Sequence, residues 1–169
     1  MSIPLRPFAV LASLAITGSA LAGCAQQGTA VVVDGHPISE QAISELSIEL
    51  PGITGGAGSV SAAAEFAVLA ESILVAAGEH GIVVSETETR QALEQAGVDP
   101  ATLSEATLRG LGATLVQQKV QMSEDATEIF ERANALVSSA EVSPRYGLDF
   151  GADGVADLPP WLIGAEGAN

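Results

Sequence analysis

Apolar residues recur at helical spacing along most of the chain, and this pattern predicts four to five helices. The first helix begins after Ser39, a good capping residue, because Ile43 and Leu46 then follow three residues apart. The breakers at 51–52 and the glycine-rich run at 55–58 predict that this helix ends there and that a flexible connection follows.

Residues 61–79 form the most apolar segment after the N-terminal region. The polar residues Glu65, Ser72 and Glu79 are seven positions apart, which on a helix leaves only a narrow stripe for water. We therefore expect this segment to be the central helix, with most of its surface buried.

The remaining helices carry start and stop signals. Ser85 and Glu88 have the spacing of a capping box, and Gly97 is a typical helix end. A long fourth helix follows Asp99, and Asp125 either caps a fifth helix or lies within a continuation of the fourth.

Two short β-branched segments lie at opposite ends of the helical region. Residues 30–33 are apolar and stop at the turn signal Asp34 and Gly35, and residues 141–143 form a second candidate strand before Pro144. Because an isolated strand leaves its backbone groups unpaired, we expect the two to pair. The predicted fold is mostly α, a bundle or cradle of four to five helices closed by a short two-stranded pairing of the N- and C-terminal segments.

Arg145 and Tyr146 follow the second candidate strand and allow two interpretations. Exposed arginine and tyrosine are favoured at interfaces, so they could form a functional patch. The alternative is structural, with Arg145 paired to one of the many acidic residues and Tyr146 packed on the helices. We favour the structural interpretation.

The N-terminal region has the order of a bacterial lipoprotein signal. Arg6 precedes an apolar run at 8–16, and a Leu-Ala-Gly sequence ends at Gly23, directly before Cys24, the only cysteine. We interpret this as a lipobox, with signal cleavage between Gly23 and Cys24 and lipidation of Cys24. The alternatives are an ordinary signal peptide, a transmembrane helix or a buried core helix, but the run is shorter than the about 20 apolar residues that a span needs.

The lipobox divides the chain into four parts. Residues 1–23 are the predicted signal peptide, 24–29 a tether, 30–147 a single helical domain and 148–169 an acidic disordered tail with Trp161 as its large anchor. We expect the protein at the cell membrane, on the extracytoplasmic face and attached through its lipid.

The formal charge of −15 argues against several partners. Nucleic-acid binding needs clustered Lys and Arg, and the chain has six of these against 21 Asp and Glu. Anionic lipid headgroups would also repel the domain, so the membrane is reached through the acyl chains.

The sequence offers no recognisable catalytic, metal or cofactor site. His36, in a turn, and His80, at a helix end, have no catalytic motif around them. Asp149, Asp153 and Asp157 are four apart, whereas a calcium loop needs acidic residues at alternate positions. We therefore expect a protein that is not an enzyme and that needs no cofactor.

Three segments in order, behind the lipobox, resemble a known family. They are the strand and turn at 30–39, the Gly-Ile-Val-Val-Ser turn within 77–85, and the Val-Ser-Pro-Arg-Tyr-Gly sequence at 142–147. Together they resemble the SurA-like N-terminal, peptide-binding domain of extracytoplasmic foldases, as found in lipoproteins of high-GC Gram-positive bacteria. The resemblance covers 30–147 and implies a helical cradle for unfolded or newly exported polypeptide. We expect no parvulin-type isomerase domain.

The expected function is that of a lipid-anchored, extracytoplasmic, chaperone-like protein that binds unfolded or newly exported polypeptides. An alanine-rich core with few aromatic residues can leave an adjustable apolar groove, which we expect beside Ile48, Ile53, Phe66 and Leu115. The alternatives are a non-enzymatic envelope adaptor or structural lipoprotein that binds one folded partner and, third, a peptidyl-prolyl isomerase. The sequence leaves the oligomeric state open.

Replacing the lipidated sulfur tests the lipobox. Cys24→Ser should release the protein from the membrane or leave its precursor uncleaved, because stable anchoring takes two or more acyl chains on that residue. Cell fractionation and the mass of the mature N-terminus measure both effects. Ser19→Ala, a change in the same region, should be processed normally. A Cys24→Ser protein that is still cleaved and membrane-bound would show that the lipobox interpretation is wrong.

Overall fold

Five helices and one small sheet make up the part of the chain that the computed structural model describes, residues 28–55, 58–148 and 150. The helices are α1 Glu40–Thr54, α2 Val60–Glu79, α3 Glu86–Gln95, α4 Glu105–Gln121 and α5 Ala126–Ser138. The strands are β1 Thr29–Val33, β2 His36–Ser39 and β3 Glu141–Val142, and short 3-10 turns lie at Pro100–Thr102 and Pro144–Tyr146. The predicted mostly helical fold class is confirmed.

Helix α2 is the centre of the domain, as its composition predicts. It packs against α1, α4, α5 and β1, and the side chains of Val68, Leu69 and Ile73 are almost completely inaccessible. By length and composition alone α2 could cross a membrane, but most of its apolar stretch is buried inside the protein. Its surroundings are those of a core helix.

The predicted water-facing stripe of α2 is wrong at Ser72. This serine is fully buried, whereas Glu79 at the end of the helix is exposed. Neighbouring elements surround the middle of α2, and the serine side chain is small enough to lie between packed helices. Glu71, beside it, is also buried.

The sheet joins the two ends of the domain. Its order is β2-β1-β3 with both pairs antiparallel, and Val31 lies opposite Val142, so the predicted pairing of the terminal segments is confirmed. The third strand, β2, was not predicted. Asp34 and Gly35, with φ angles of +49° and +79°, form the tight hairpin between β1 and β2. Pro37 argues against a central strand but is compatible with β2, because β2 lies at the sheet edge.

The structural interpretation of Arg145 and Tyr146 is confirmed. Tyr146 is buried in the core, and its backbone carbonyl accepts a hydrogen bond of 2.8 Å from the hydroxyl of Ser61 at the start of α2. Arg145 forms an ion pair with Glu40, and its guanidinium lies 5.4 Å from the centre of the Tyr146 ring. These contacts attach the end of the domain to α1 and α2.

The proposed signal peptide and lipobox, including Gly23 and Cys24, lie outside the described residues. Of the predicted tether 24–29, only Gly28 and Thr29 are described, and Thr29 is the first residue of β1. At the start of the predicted tail, Leu148 and Phe150 pack against the core. Trp161 lies in the part that the structure does not describe.

Of the two helix caps predicted at Ser85 and Asp125, the first forms and the second does not. Ser85 and Glu88 form the predicted capping box, and the hydrogen bonds from Ser85, together with Lys119, lower the pKa of Glu88 to about 2. α5 is a separate helix, but the side chain of Asp125 makes no capping hydrogen bond there. It lies instead 3.5 Å from Nδ1 of His80.

The prediction that the first helix ends at Pro51 is wrong, because α1 continues to Thr54. Proline in the last turn removes only the hydrogen bond to the carbonyl of Ser47. Gly55 then ends the helix with φ +72°, and its N–H donates to the carbonyl of Pro51 at 3.0 Å. Gly58 passes so close that a Cβ there would lie 2.6 Å from the Ser47 oxygen. The connection returns against the last turns of α1.

Two glycines of this region should respond in opposite directions to alanine. Gly58→Ala should destabilise the domain by about 1–3 kcal/mol, because the new methyl group meets backbone that cannot move without strain. Gly52→Ala, inside α1 with nothing within 4 Å of the added Cβ, should stabilise it by about 0.5–1 kcal/mol. Urea unfolding of the two variants measures both. Equal stability of Gly58→Ala and the wild type would show that the close approach is absent.

Candidate functional site

An open groove of about 710 Å³ lies between β2, α1, α2 and α4. Its volume is within the range of about 300–1,000 Å³ that is typical of ligand sites. Most of the residues that line it are apolar. They are Pro37, Ile38, Ala42, Leu46, Phe66, Ala67, Ala70, Leu74, Ala106 and Gly110.

The groove exists because small residues line it where helices face each other. On α2, Ala67 and Ala70 lie one turn apart on the lined face, and each contributes only a methyl group to the lining. Gly110 on α4 lies under the ring of Phe66, so close that an added Cβ would be 2.4 Å from the ring. The absence of a side chain at Gly110 therefore allows Phe66 to lie against α4.

A buried carboxylate closes one part of the groove. Glu71 of α2 is only 7% exposed at its side chain, and both of its oxygens accept hydrogen bonds of 2.8 Å from Nη2 and Nε of Arg109 on α4. Nδ1 of His36, the first residue of β2, lies 3.1 Å from the Oε1 atom of Glu71. The Glu71 cluster, which we define as Glu71, Arg109 and His36, thus joins three of the four elements that line the groove.

The electrostatics of this cluster keep Glu71 ionised. Burial raises the pKa of the carboxyl, but the hydrogen bonds and charge of Arg109, with a smaller contribution from His36, outweigh it and lower the pKa below its usual value. The hydrogen bonds to Glu71 correspondingly raise the pKa of Arg109. Because an ionised carboxylate can only accept, Nδ1 of His36 carries the proton in this contact. Glu71 is therefore a poor general base, and its observed contacts are structural.

Two further carboxylates, Glu45 and Glu105, line the groove and are named the rim carboxylates. Glu45 accepts a hydrogen bond of 2.8 Å from the side-chain amide of Gln41. Ser39 carries the single hydroxyl among the described lining residues, and its oxygen accepts the N–H of Ala42 as the cap of α1. Among the described residues, no hydrogen bond joins that hydroxyl to a base that would activate it.

The four predicted client-binding residues do not converge on this groove. Phe66 lines it, whereas Ile48, Ile53 and Leu115 lie outside its lining. Ile48 is 75% exposed on α1, and Ile53 and Leu115 are half-buried. Besides Leu46, the residues of α1 that line the groove are small or polar. Selecting apolar residues of α1 from the sequence therefore did not identify the residues that line the groove.

The Glu71 cluster was missed from the sequence, although one signal was present. A charged residue in the middle of the most apolar helix is rare unless it is paired. The partners of Glu71 are 38 and 35 residues away along the chain. Nothing in the local pattern identifies them.

No group of three or more His, Cys, Asp and Glu side chains in the described ranges is arranged to hold a metal ion. His80 contacts a single carboxylate, that of Asp125.

No protein-family model, curated protein or solved structure matches this chain. The resemblance to SurA-like domains therefore stays a prediction from the sequence.

The contribution of the Glu71 cluster to stability can be measured by removing its cation. Arg109→Met should destabilise the domain by about 1–3 kcal/mol, less than for a fully buried pair because the Arg109 side chain is 59% exposed. Arg132→Met, which breaks an exposed pair with Glu79, should change stability much less.

The pH dependence of this effect follows from the lowered pKa of Glu71. Stabilisation by a carboxylate with a lowered pKa is complete above its unfolded value of about 4.3 and is lost as the pH falls through the folded value. In Arg109→Met only His36 still offsets the burial of Glu71, so the pKa of Glu71 should rise in the variant. The loss of unfolding free energy relative to the wild type should therefore be largest at neutral pH and should shrink as the pH falls from the raised pKa of the variant to the lowered pKa of the wild type. Urea unfolding from pH 3 to pH 8 measures this, and a deficit that does not vary with pH would contradict it.

Proposed function

We propose that this protein is a lipid-anchored, extracytoplasmic holding chaperone that binds extended apolar segments of unfolded or newly exported polypeptides. The observation that carries the proposal is the open groove, which is lined mainly by Leu46, Phe66, Leu74 and small apolar residues and is bordered by polar side chains. The predicted lipobox ending at Cys24 supports a location outside the membrane, where such polypeptides emerge.

Burial of client side chains supplies the affinity in this proposal. Each fully buried Leu, Ile or Phe side chain contributes about 1.5–3 kcal/mol, and part of that is lost to ordering of the client. A short segment docked through two or three such side chains therefore binds weakly and exchanges quickly. Weak binding with fast exchange is what a chaperone needs in order to hold a client briefly and then release it.

Strand addition is expected to contribute little. β2 is an edge strand that lines the groove, so an extended client could in principle pair with it. However, β2 has only four residues, and Pro37 has no N–H to donate. The proline instead protects this edge from unwanted pairing with other strands.

The chemistry of the groove supports binding rather than catalysis. An X-Pro amide has a rotation barrier of about 18–20 kcal/mol, and a catalyst must provide groups that stabilise the twisted amide. The hydroxyl of Ser39 caps α1, and the Glu71 carboxylate is occupied by Arg109 and His36. These occupied groups support a proposal that does not include isomerase activity.

A blocked groove provides the test. Ala42→Trp places a large ring in the groove and should reduce suppression of client aggregation at least several-fold. Ala135→Trp adds the same ring at an exposed position of α5, away from the groove, and should act like the wild type. Light scattering of a denatured client with increasing amounts of each protein measures suppression, and thermal unfolding checks that both variants fold.

Salt and a proline-limited refolding assay separate the alternatives. Suppression through apolar contacts should persist or strengthen at high salt, whereas a charge-led adaptor should bind its partner less well. Acceleration of proline-limited refolding at substoichiometric protein would overturn the non-enzymatic proposal. Absence of suppression at every ratio, or equal loss with both tryptophan variants, would overturn the chaperone proposal and favour an adaptor for one folded partner.

A further inference from the structure

The charges that face the groove do not cancel. Five titratable side chains line it: His36, Glu45, Glu71, Glu105 and Arg109. Arg109 is held by Glu71 through two hydrogen bonds, so this pair contributes little net charge. The rim carboxylates Glu45 and Glu105 leave the groove with a net negative charge, although Arg109 also attracts Glu105. The hydrogen bond that Glu45 accepts comes from the neutral amide of Gln41.

Both rim carboxylates lie on the same side of the groove. The carboxylate of Glu49 on α1 accepts hydrogen bonds of 3.0 Å from the N–H and the hydroxyl of Ser104, the residue that caps α4. Glu45 is one helical turn before Glu49, and Glu105 directly follows Ser104. The middle of α1 and the start of α4 therefore form an acidic wall beside the apolar floor of Phe66, Ala67 and Ala70.

The rest of the described chain does not offset this wall. Each of its five basic residues already forms an ion pair with a carboxylate: Arg90 with Glu86, Arg109 with Glu71, Lys119 with Glu88, Arg132 with Glu79 and Arg145 with Glu40. The whole chain carries a formal charge of −15. An acidic client would be repelled both at the groove and at a distance.

We infer that the groove selects apolar polypeptide segments that carry lysine or arginine beside the apolar residues, with Glu45 and Glu105 as the selecting side chains. The apolar residues dock on the floor of the groove, and the basic residue lies against the acidic wall formed by the middle of α1 and the start of α4. This inference rests on the proposed function and names the class of client within it.

Three peptides with one apolar core test this selection. Their flanks carry lysine, glutamine or glutamate, and their affinity is measured by fluorescence anisotropy at low and at high salt. The lysine peptide should bind about three- to tenfold more tightly than the glutamine peptide at low salt, and the glutamate peptide should bind most weakly. High salt should bring the three affinities together without removing the binding of the glutamine peptide.

Two matched double variants test whether Glu45 and Glu105 cause the preference for the lysine peptide. Glu45→Gln with Glu105→Gln should remove most of the preference for lysine. Glu94→Gln with Glu131→Gln makes the same change of charge at exposed positions of α3 and α5 and should retain the preference. A preference that falls equally in both variants reflects net charge alone and would overturn the inference.

The remaining outcomes distinguish this inference from the proposed function. Equal affinity for the three peptides, with binding that Ala42→Trp abolishes, would overturn the selection of basic segments and leave the holding function in place. Absence of binding by every peptide, or binding that Ala42→Trp does not reduce, would overturn the proposed function and the inference together.

Discussion

Close packing around the alanine-rich helix α2 is the constraint on which the rest of the structure depends. Buried alanines such as Ala63, Ala64 and Ala76 allow neighbouring backbones to approach, while Leu69 and Ile73 fill the space that remains. The chain has only four Phe, one Tyr and one Trp. Because so few large side chains are present, the space between α1, α2, α4 and β2 is not filled, and an open groove results.

The burial of Glu71 in that helix has a structural consequence. An unpaired buried carboxylate is costly, so Arg109 and His36 must reach it from α4 and β2. The contacts that compensate the buried charge therefore hold two walls of the groove in place relative to α2. The apolar floor of the groove and its polar boundary therefore have one structural origin.

The sheet and the turn at Pro144–Tyr146 complete the same arrangement from the other end of the chain. The pairing of β1 with β3 and the burial of Tyr146 bring the C-terminal end of the domain back to β1 and α2. The N-terminal strand then leads into the hairpin that places His36 and Ile38 at the groove. Closure of the domain and the placement of His36 and Ile38 at the groove thus depend on the same three strands.

The sequence alone determined the helices, the central position of α2, the capping box at Ser85 and the pairing of the terminal strands. These follow from local periodicity, from capping chemistry and from the requirement that backbone groups be paired. Only the tertiary structure decided that α1 continues past Pro51, that Ser72 is buried and that Glu71 meets Arg109. It also decided where the groove lies, because a groove is the space that packed helices leave, and that space depends on contacts between residues far apart in the chain.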